Sequence, residues 1–287
     1  MPLLPVEQIE RLAPVFKGKT GNALAAFLRK VLAIEKLSDL YDTISDNKGE
    51  DFAGALLEAL GVDYRIGGAD RLASLPDGPF ITISNHPYGG LDGVILIDLM
   101  GHLREGFKVM VTEFLSIIEA LTPSLIVVNP KNNLNKGITA KNIQGVREVI
   151  SRLQEGYPVG FFPSGAVSDL SLKERKIRDR EWQDAVIRLI QKAKVPIVPV
   201  KFFDHNSMWF YFLGLIDWRV RLLQLPRELA NKKHRRVRVG VGQTIPVEEQ
   251  LLHKDDFGLF LREKVYGMEL PSVLEKYSDI KKMCAGH

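Results

Sequence analysis

Apolar residues recur at three- and four-residue spacing through "GNALAAFLRKVLAIEKLSDLYDTI", from Leu24 through Phe27, Val31, Leu32, Ile34 and Leu37. That period predicts an amphipathic helix. A polar break at "SDNKG" separates it from a second helical stretch, "GEDFAGALLEALGV". Residues 1–75 therefore read as a helical appendage of two or three helices. From residue 78 the pattern changes. "GPFITIS", "FKVMVT", "SLIVVN", "YPVGFFPSG", "VPIVPVKF" and "RRVRVGVGQTI" predict strands. "DGVILIDLMGHL", "EFLSIIEAL", "AKNIQGVREVISRLQEG" and "DREWQDAVIRLIQKAK" predict the helices among them. Alternation of this kind implies an α/β domain over residues 76–287, a layered mixed sheet flanked by helices. The chain shows no internal repeat and no low-complexity segment.

Composition narrows the picture modestly. Hydrophobic residues make up 45% and charged residues 26% of the 287 positions, which is ordinary for a globular chain with a sizeable core. Lys+Arg at 39 against Asp+Glu at 35 gives +4, an excess that suits an anionic partner but is too small to point to nucleic acid. The single cysteine, Cys284, excludes an intramolecular disulfide and a thiolate metal site, and fits a reducing compartment. The opening "MPLLPVEQIERLAPVFKGK" lacks the basic-then-apolar pattern of a secretory signal. Nowhere do eighteen consecutive apolar residues occur, so no segment is expected to span a bilayer. Work on lipid is thus expected from a cytoplasmic protein lying on the inner face of the membrane.

Three groups of polar residues fall just after apolar strands: Asn85-His86, Asn129-Pro130-Lys131 and Ser164-Gly165. Ligands gather at the carboxyl ends of strands in open α/β sheets, so these loops share one rim if their strands run the same way. In "ISNHPYGGLDG", a histidine and an aspartate flank a paired glycine. Histidine is the side chain best suited to act as a general base near neutral pH. A carboxylate on its other ring nitrogen would fix the tautomer and stabilise the cation. Gly89 and Gly90 allow the turn that returns Asp92 to His86. The residues also fit a plainer reading, in which Asp92 caps the following helix and His86 is a turn residue. No HxxxH or CxxC spacing supports a metal.

"SNHPYGGLD" resembles the catalytic block of the lysophospholipid (glycerophospholipid) acyltransferase family, whose signature is Asn-His, four residues and Asp. "FFPSGAVSD", at 161–169, resembles that family's Phe-Pro-Glu-Gly-Thr-Arg-Ser block, and "VPIVPV", at 195–200, its last block. The blocks follow in the family's order, and the matched region covers roughly residues 76–245. Two departures stand out. Five residues separate His86 from Asp92, as in a PlsC-like bacterial subgroup that includes hemolysin-like proteins and aminolipid O-acyltransferases. In the second block Ser164, Ala166 and Val167 replace the family's Glu, Thr and Arg. That Arg is associated with the acceptor's phosphate, so its loss favours a lyso-aminolipid acceptor over glycerol phosphate.

The resemblance implies acyl transfer from acyl carrier protein or coenzyme A, with no resident cofactor, to a lysolipid hydroxyl. It implies His86 and Asp92 as catalytic residues. Asn85, Gly89, Gly90, Lys131, Pro163, Ser164 and Gly165 become candidates for substrate binding, with backbone N–H groups around Ser164-Gly165 receiving the oxyanion. Ser164 as a hydrolase nucleophile is disfavoured, because "FPSGA" lacks the first glycine of Gly-x-Ser-x-Gly. A non-catalytic lipid-binding protein with the same fold is the alternative. "NSMWFYFLGLIDW", 206–218, reads as core or as a membrane contact. "NKKHRRVR", 231–238, reads as a solvated turn or as a site for anionic headgroups or an acidic carrier.

Overall fold

The computed structural model describes residues 33–112, 118–128, 140–233 and 235–285. Two helices lead in, α1 (Ile34–Ile44) and α2 (Gly49–Ala59). The strands are β1 (Tyr64–Gly67), β2 (Ile81–Ser84), β3 (Lys108–Thr112), β4 (Leu125–Val128), β5 (Val159–Phe161), β6 (Asp169–Ser171), β7 (Lys176–Arg178), β8 (Ile197–Phe202), β9 (Val237–Val241) and β10 (Glu275–Lys276). Among them run α3 (Gly90–Gly101), α4 (Ala140–Gln154), α5 (Asp184–Ala193), α6 (Met208–Ile216), α7 (Trp218–Leu223) and α8 (Leu225–Ala230). The chain then adds α9 (Val247–Leu252), α10 (Phe257–Tyr266) and α11 (Tyr277–Ala285).

Eight strands form one sheet in the order β10-β1-β9-β8-β2-β5-β3-β4, and β6-β7 make a small separate hairpin. Strands β8, β2, β5, β3 and β4 all run the same way. β9 pairs antiparallel to β8, and β10 antiparallel to β1, so the sheet is mixed as expected. Because β2 and β5 are parallel neighbours, the loops that follow them open on one rim. The loop after β4, with Asn129, Pro130 and Lys131, lies outside the described residues.

The sequence of β2 shows how the two layers form. Ile81 and Ile83 point to one side, into a core with Trp182, Ile190, Phe257 and Leu261. On the other face Thr82 sits beneath α3, where it and Leu96 crowd Gly160. Opposite side chains along a strand alternate between faces, so one four-residue segment serves both cores. α3 is apolar on nearly every side and lies buried, which suits a helix sandwiched between the sheet and α2.

Two expectations need correction. A boundary at residue 75 places β1 with the appendage, yet β1 is hydrogen-bonded to β9 and β10 inside the main sheet. Residues 1–75 are therefore not a separate body where they are described; "YRIG" is too short, and too polar at Arg65, to announce itself. "EFLSIIEAL" was expected as one helix. Residues 113–117 lie outside the described residues, and Glu119–Ser124 is a 3₁₀ turn with Pro123 inside it. Proline lacks the N–H that a longer helix would need.

Candidate active site

The chain leaves β2 at Ser84 and turns through 85–89 into α3. Gly89 takes φ +79°, and a Cβ there would come within 2.9 Å of Val167 and 3.0 Å of Leu225. Only glycine fits both the dihedral and the space. Asp92, in the first turn of α3, is completely buried. Its Oδ2 accepts the N–H groups of Tyr88 at 2.8 Å and Gly89 at 3.0 Å. The same oxygen lies 3.0 Å from His86 Nδ1, although the ring's N–H direction falls short of a well-aligned hydrogen bond. Asp92 thus does both things its position allowed: it caps the helix and faces the histidine.

Burial pushes the Asp92 carboxyl above the usual carboxylate range, and contact with His86 and the two N–H groups pulls it back. The His86 side chain keeps 15% of its surface open. With Nδ1 turned to Asp92, Nε2 has no partner among the described residues and is the nitrogen left to meet a ligand. The Phe162 ring lies 4.1 Å from the imidazole, centroid to centroid, and limits its tilt.

The loop carrying His86 is held from several directions. Asp179, itself buried, accepts the His86 N–H at 3.1 Å, the Ser168 hydroxyl at 2.6 Å and the Trp182 indole at 3.2 Å. Ser168 N–H returns to His86 O at 2.9 Å. The Tyr211 hydroxyl donates to Pro87 O, and Asn206 donates to Tyr88 O at 3.0 Å. Sequence reasoning missed Phe162, Asp179, Asn206 and Tyr211. Asp179 sits in a charged run, "KIRDREWQD", where nothing marks one carboxylate as inward.

The other predicted positions divide. Asn85 is buried, and its amide both donates to Phe202 O at 2.9 Å and accepts from Phe202 N at 2.8 Å. Those bonds join the end of β2 to β8 and make Asn85 a strand clamp, with one amide N–H and one oxygen lone pair still unused. Gly90 opens α3 with no heavy atom within 4 Å of where a Cβ would stand, so it borders free space. Pro163 is buried, and its carbonyl accepts the Gln183 N–H at 2.9 Å. The Ser164 hydroxyl bonds Ala166 O at 2.8 Å within its own turn, a poor placement for a nucleophile. Gly165 has φ +63°, and its N–H already donates to Phe162 O at 2.9 Å, which removes it from the expected oxyanion donors. The N–H groups of Ser164 and Ala166 have no acceptor among the described residues.

Val167 is buried against Phe210 and Tyr211. The nearby Arg221 guanidinium bonds Ser168 O at 3.1 Å, Asp169 Oδ1 at 2.5 Å and Val167 O at 3.4 Å. It braces this turn, and it does not restore the missing block arginine to the cleft. In the aromatic stretch, Phe210, Tyr211 and Leu213 are core, whereas Met208, Trp209, Phe212, Leu215, Ile216 and Trp218 are exposed. α6 supplies both faces, and Trp218 opens α7.

The lyso-glycine lipid O-acyltransferase of Bacteroides thetaiotaomicron is 28% identical to this chain over 252 residues, covering 85% of this chain and 89% of that protein. The protein of the same name from Phocaeicola vulgatus is 24% identical over 249 residues, covering 83% and 85%. Among solved structures, the 1-acyl-sn-glycerophosphate (LPA) acyltransferase PlsC of Thermotoga maritima overlaps with a TM-score of 0.47 at 16% identity, over 75% of this chain and 74% of that one. Residues 8–269 match the family described as Acyltransferase. A match of that extent on a 287-residue chain bears out the resemblance read from the three sequence blocks: this chain belongs to the acyltransferase family.

Proposed function

We propose that the protein moves a fatty acyl group from a thioester, on acyl carrier protein or coenzyme A, to a hydroxyl of a lysolipid at the inner membrane surface. The observation that carries this reading is His86, with one ring nitrogen against buried Asp92 and the other left for substrate. In the reaction, His86 Nε2 takes the proton of the acceptor hydroxyl as its oxygen attacks the thioester carbonyl. The C–S bond then breaks, and the departing thiolate recovers the proton from the imidazolium. The products are an ester and a free thiol. Asp92 stabilises the transient cation, and such a base typically contributes about 10²- to 10⁴-fold. The unsatisfied N–H groups at Ser164 and Ala166 are the peptide donors for the oxyanion.

Two features support the finer parts of the proposal. Val167 stands where the family's phosphate-associated arginine would be, and the two curated relatives are named for a glycine-headed lysolipid. Both favour an acceptor with an amino-acid head. For the membrane, no helix among the described residues is long and apolar enough to cross a bilayer. The exposed apolar face of α6 and α7, with Trp209 and Trp218 at roughly half exposure, suits insertion at the interface.

The test is thiol release from acyl coenzyme A and acyl carrier protein, with lyso-aminolipid, with lysophosphatidic acid and with water alone. The proposal predicts release that depends on lyso-aminolipid. Equal release into water would make the protein a thioesterase, and no release with any acceptor would remove the reaction. Flotation with anionic vesicles should carry the protein upward, and Trp209→Ser with Ile216→Ser should leave it at the bottom.

A further inference from the structure

A concavity opens on the same rim, beside the ends of β8 and β9. It measures about 510 Å³ and is lined by Tyr88, Phe203, Lys232, Arg235, Arg236 and Arg238, with Asp204 and His205 completing it. Its position follows from the sheet. Phe203–His205 continue from the carboxyl end of β8, the parallel neighbour of β2, and the basic segment enters β9 beside them. Tyr88, two residues beyond His86 on the same loop, lines the concavity.

The charges here are unevenly matched. Arg238 pairs with Asp204, and Lys232 with Glu228 at 3.0 Å. Lys232 is almost wholly buried, with Nζ 5.0 Å from the Tyr88 ring centroid and 2.7 Å from Asn206 Oδ1. Asn206 in turn donates to Tyr88 O. A buried ammonium is therefore tied directly to the loop that presents His86. Arg235 and Arg236 are exposed side by side and have no carboxylate partner among the described residues. A smaller cleft of about 350 Å³ shares Asp204, Arg236 and Arg238 and adds Arg65, so the positive surface continues outward.

From this arrangement we infer an anion site: Arg235 and Arg236, at the mouth of the Tyr88 cleft, hold a carboxylate or phosphate of the substrate whose acyl chemistry occurs at His86. Guanidinium groups grip both oxyanions through paired N–H donors, whereas a solvated turn has no need of a cleft lined by a residue of the His86 loop. The inference deepens the proposed acyl transfer and rests on it for the substrate's role. The anion belongs either to the headgroup of the acceptor or to the phosphates of the donor.

The experiment is calorimetric titration of the full chain, wild type and Arg235→Gln/Arg236→Gln, with a short-chain N-acylglycine, its neutral methyl ester, and coenzyme A. The charge-neutral substitutions are at exposed positions, so the fold is kept. If the anion is the acceptor's, wild type binds the acid about tenfold more tightly than the ester, and the double variant loses that gap, as expected for one charge-assisted contact. If it is the donor's, the double variant weakens coenzyme A binding by about as much and treats acid and ester alike. Affinities of the double variant unchanged for all three compounds would overturn the inference. In steady-state assays the double variant should raise KM for the affected substrate and keep kcat. Arg-dependent binding in a protein that transfers nothing would leave the anion site standing and remove the acyl-transfer reading. Full transfer with Arg-independent binding would do the reverse.

Discussion

At the amino end of α3, His86 Nδ1 lies 3.0 Å from Asp92 Oδ2; at its carboxyl end, His102 Nδ1 lies 3.1 Å from Asp98 Oδ1. The two pairs share residue types, a contact distance and a buried carboxylate, though the first spans six residues and the second four, and they are built for different tasks. His102 has both ring nitrogens engaged, Nδ1 also on Asp98 O at 2.7 Å and Nε2 near Asp51 at 3.2 Å and Lys281 at 3.0 Å. Asp98 is further held by the Tyr64 hydroxyl at 2.8 Å, and the Tyr277 hydroxyl bonds Asp98 O. That cluster joins α2, β1, α3 and α11 in one place. At His86 the carboxylate lies on one side, and the other nitrogen has no partner among the described residues. The two side chains are about equally exposed, at 15% and 17%. A histidine–carboxylate contact is thus not by itself a catalytic device; the nitrogen left without a partner makes the difference.

The sharpest way to break the comparison is to remove each histidine in turn. His86→Ala should lower acceptor-dependent transfer by about 10²- to 10⁴-fold with the thermal midpoint little changed. His102→Ala should leave kcat near wild type. Next in size is Asp179→Asn, which weakens the acceptor of the His86 N–H and should cost about 10- to 10²-fold in kcat through misplacement, with KM nearly unchanged. Asp179 is a positioning residue, so restoring it to Glu should recover less than restoring Asp.

Stability effects come next. His102→Gln should destabilise the chain by about 1–3 kcal/mol, the usual cost of leaving buried partners unsatisfied. The Asp98 carboxylate raises the His102 pKa, against burial and Lys281. A raised folded value means that this contribution is fully present below the unfolded pKa of about 6.5 and is lost as pH rises through the folded value. Urea midpoints of wild type and His102→Gln should therefore differ more at mildly acid pH than at alkaline pH. The glycines give the smallest contrast. Gly89→Ala should cost about 1–3 kcal/mol, because φ is positive and Val167 stands in the way. Gly90→Ala should change stability by no more than about 0.5 kcal/mol, and any loss of activity it causes marks the space before it as substrate space.

What the sequence could show depended on how local the signal was. His86, the glycine turn and Asp92 lie within seven residues, and their contact needed only a tight loop. The parallel strands before His86 and Ser164 were legible from apolar runs, so their common rim was too. Asp179 reaches the His86 backbone from 93 residues away, and its inward direction depends on packing beside Trp182 and Tyr266. β1 is recognisable only through its partner β9, 173 residues later at the Tyr64–Val237 pair. The fate of Gly165 N–H was equally hidden, because a turn back to Phe162 O is a property of dihedral angles, not of residue type. α6 failed as a choice between core and surface because its two faces do one each.

The most direct test of the free-nitrogen account is the rate of lysolipid-dependent thiol release by purified His86→Ala and His102→Ala, measured side by side with wild type. The account predicts loss of nearly all release in the first and near-normal kcat in the second. Full activity in His86→Ala, or an equal loss in both folded variants, would contradict it.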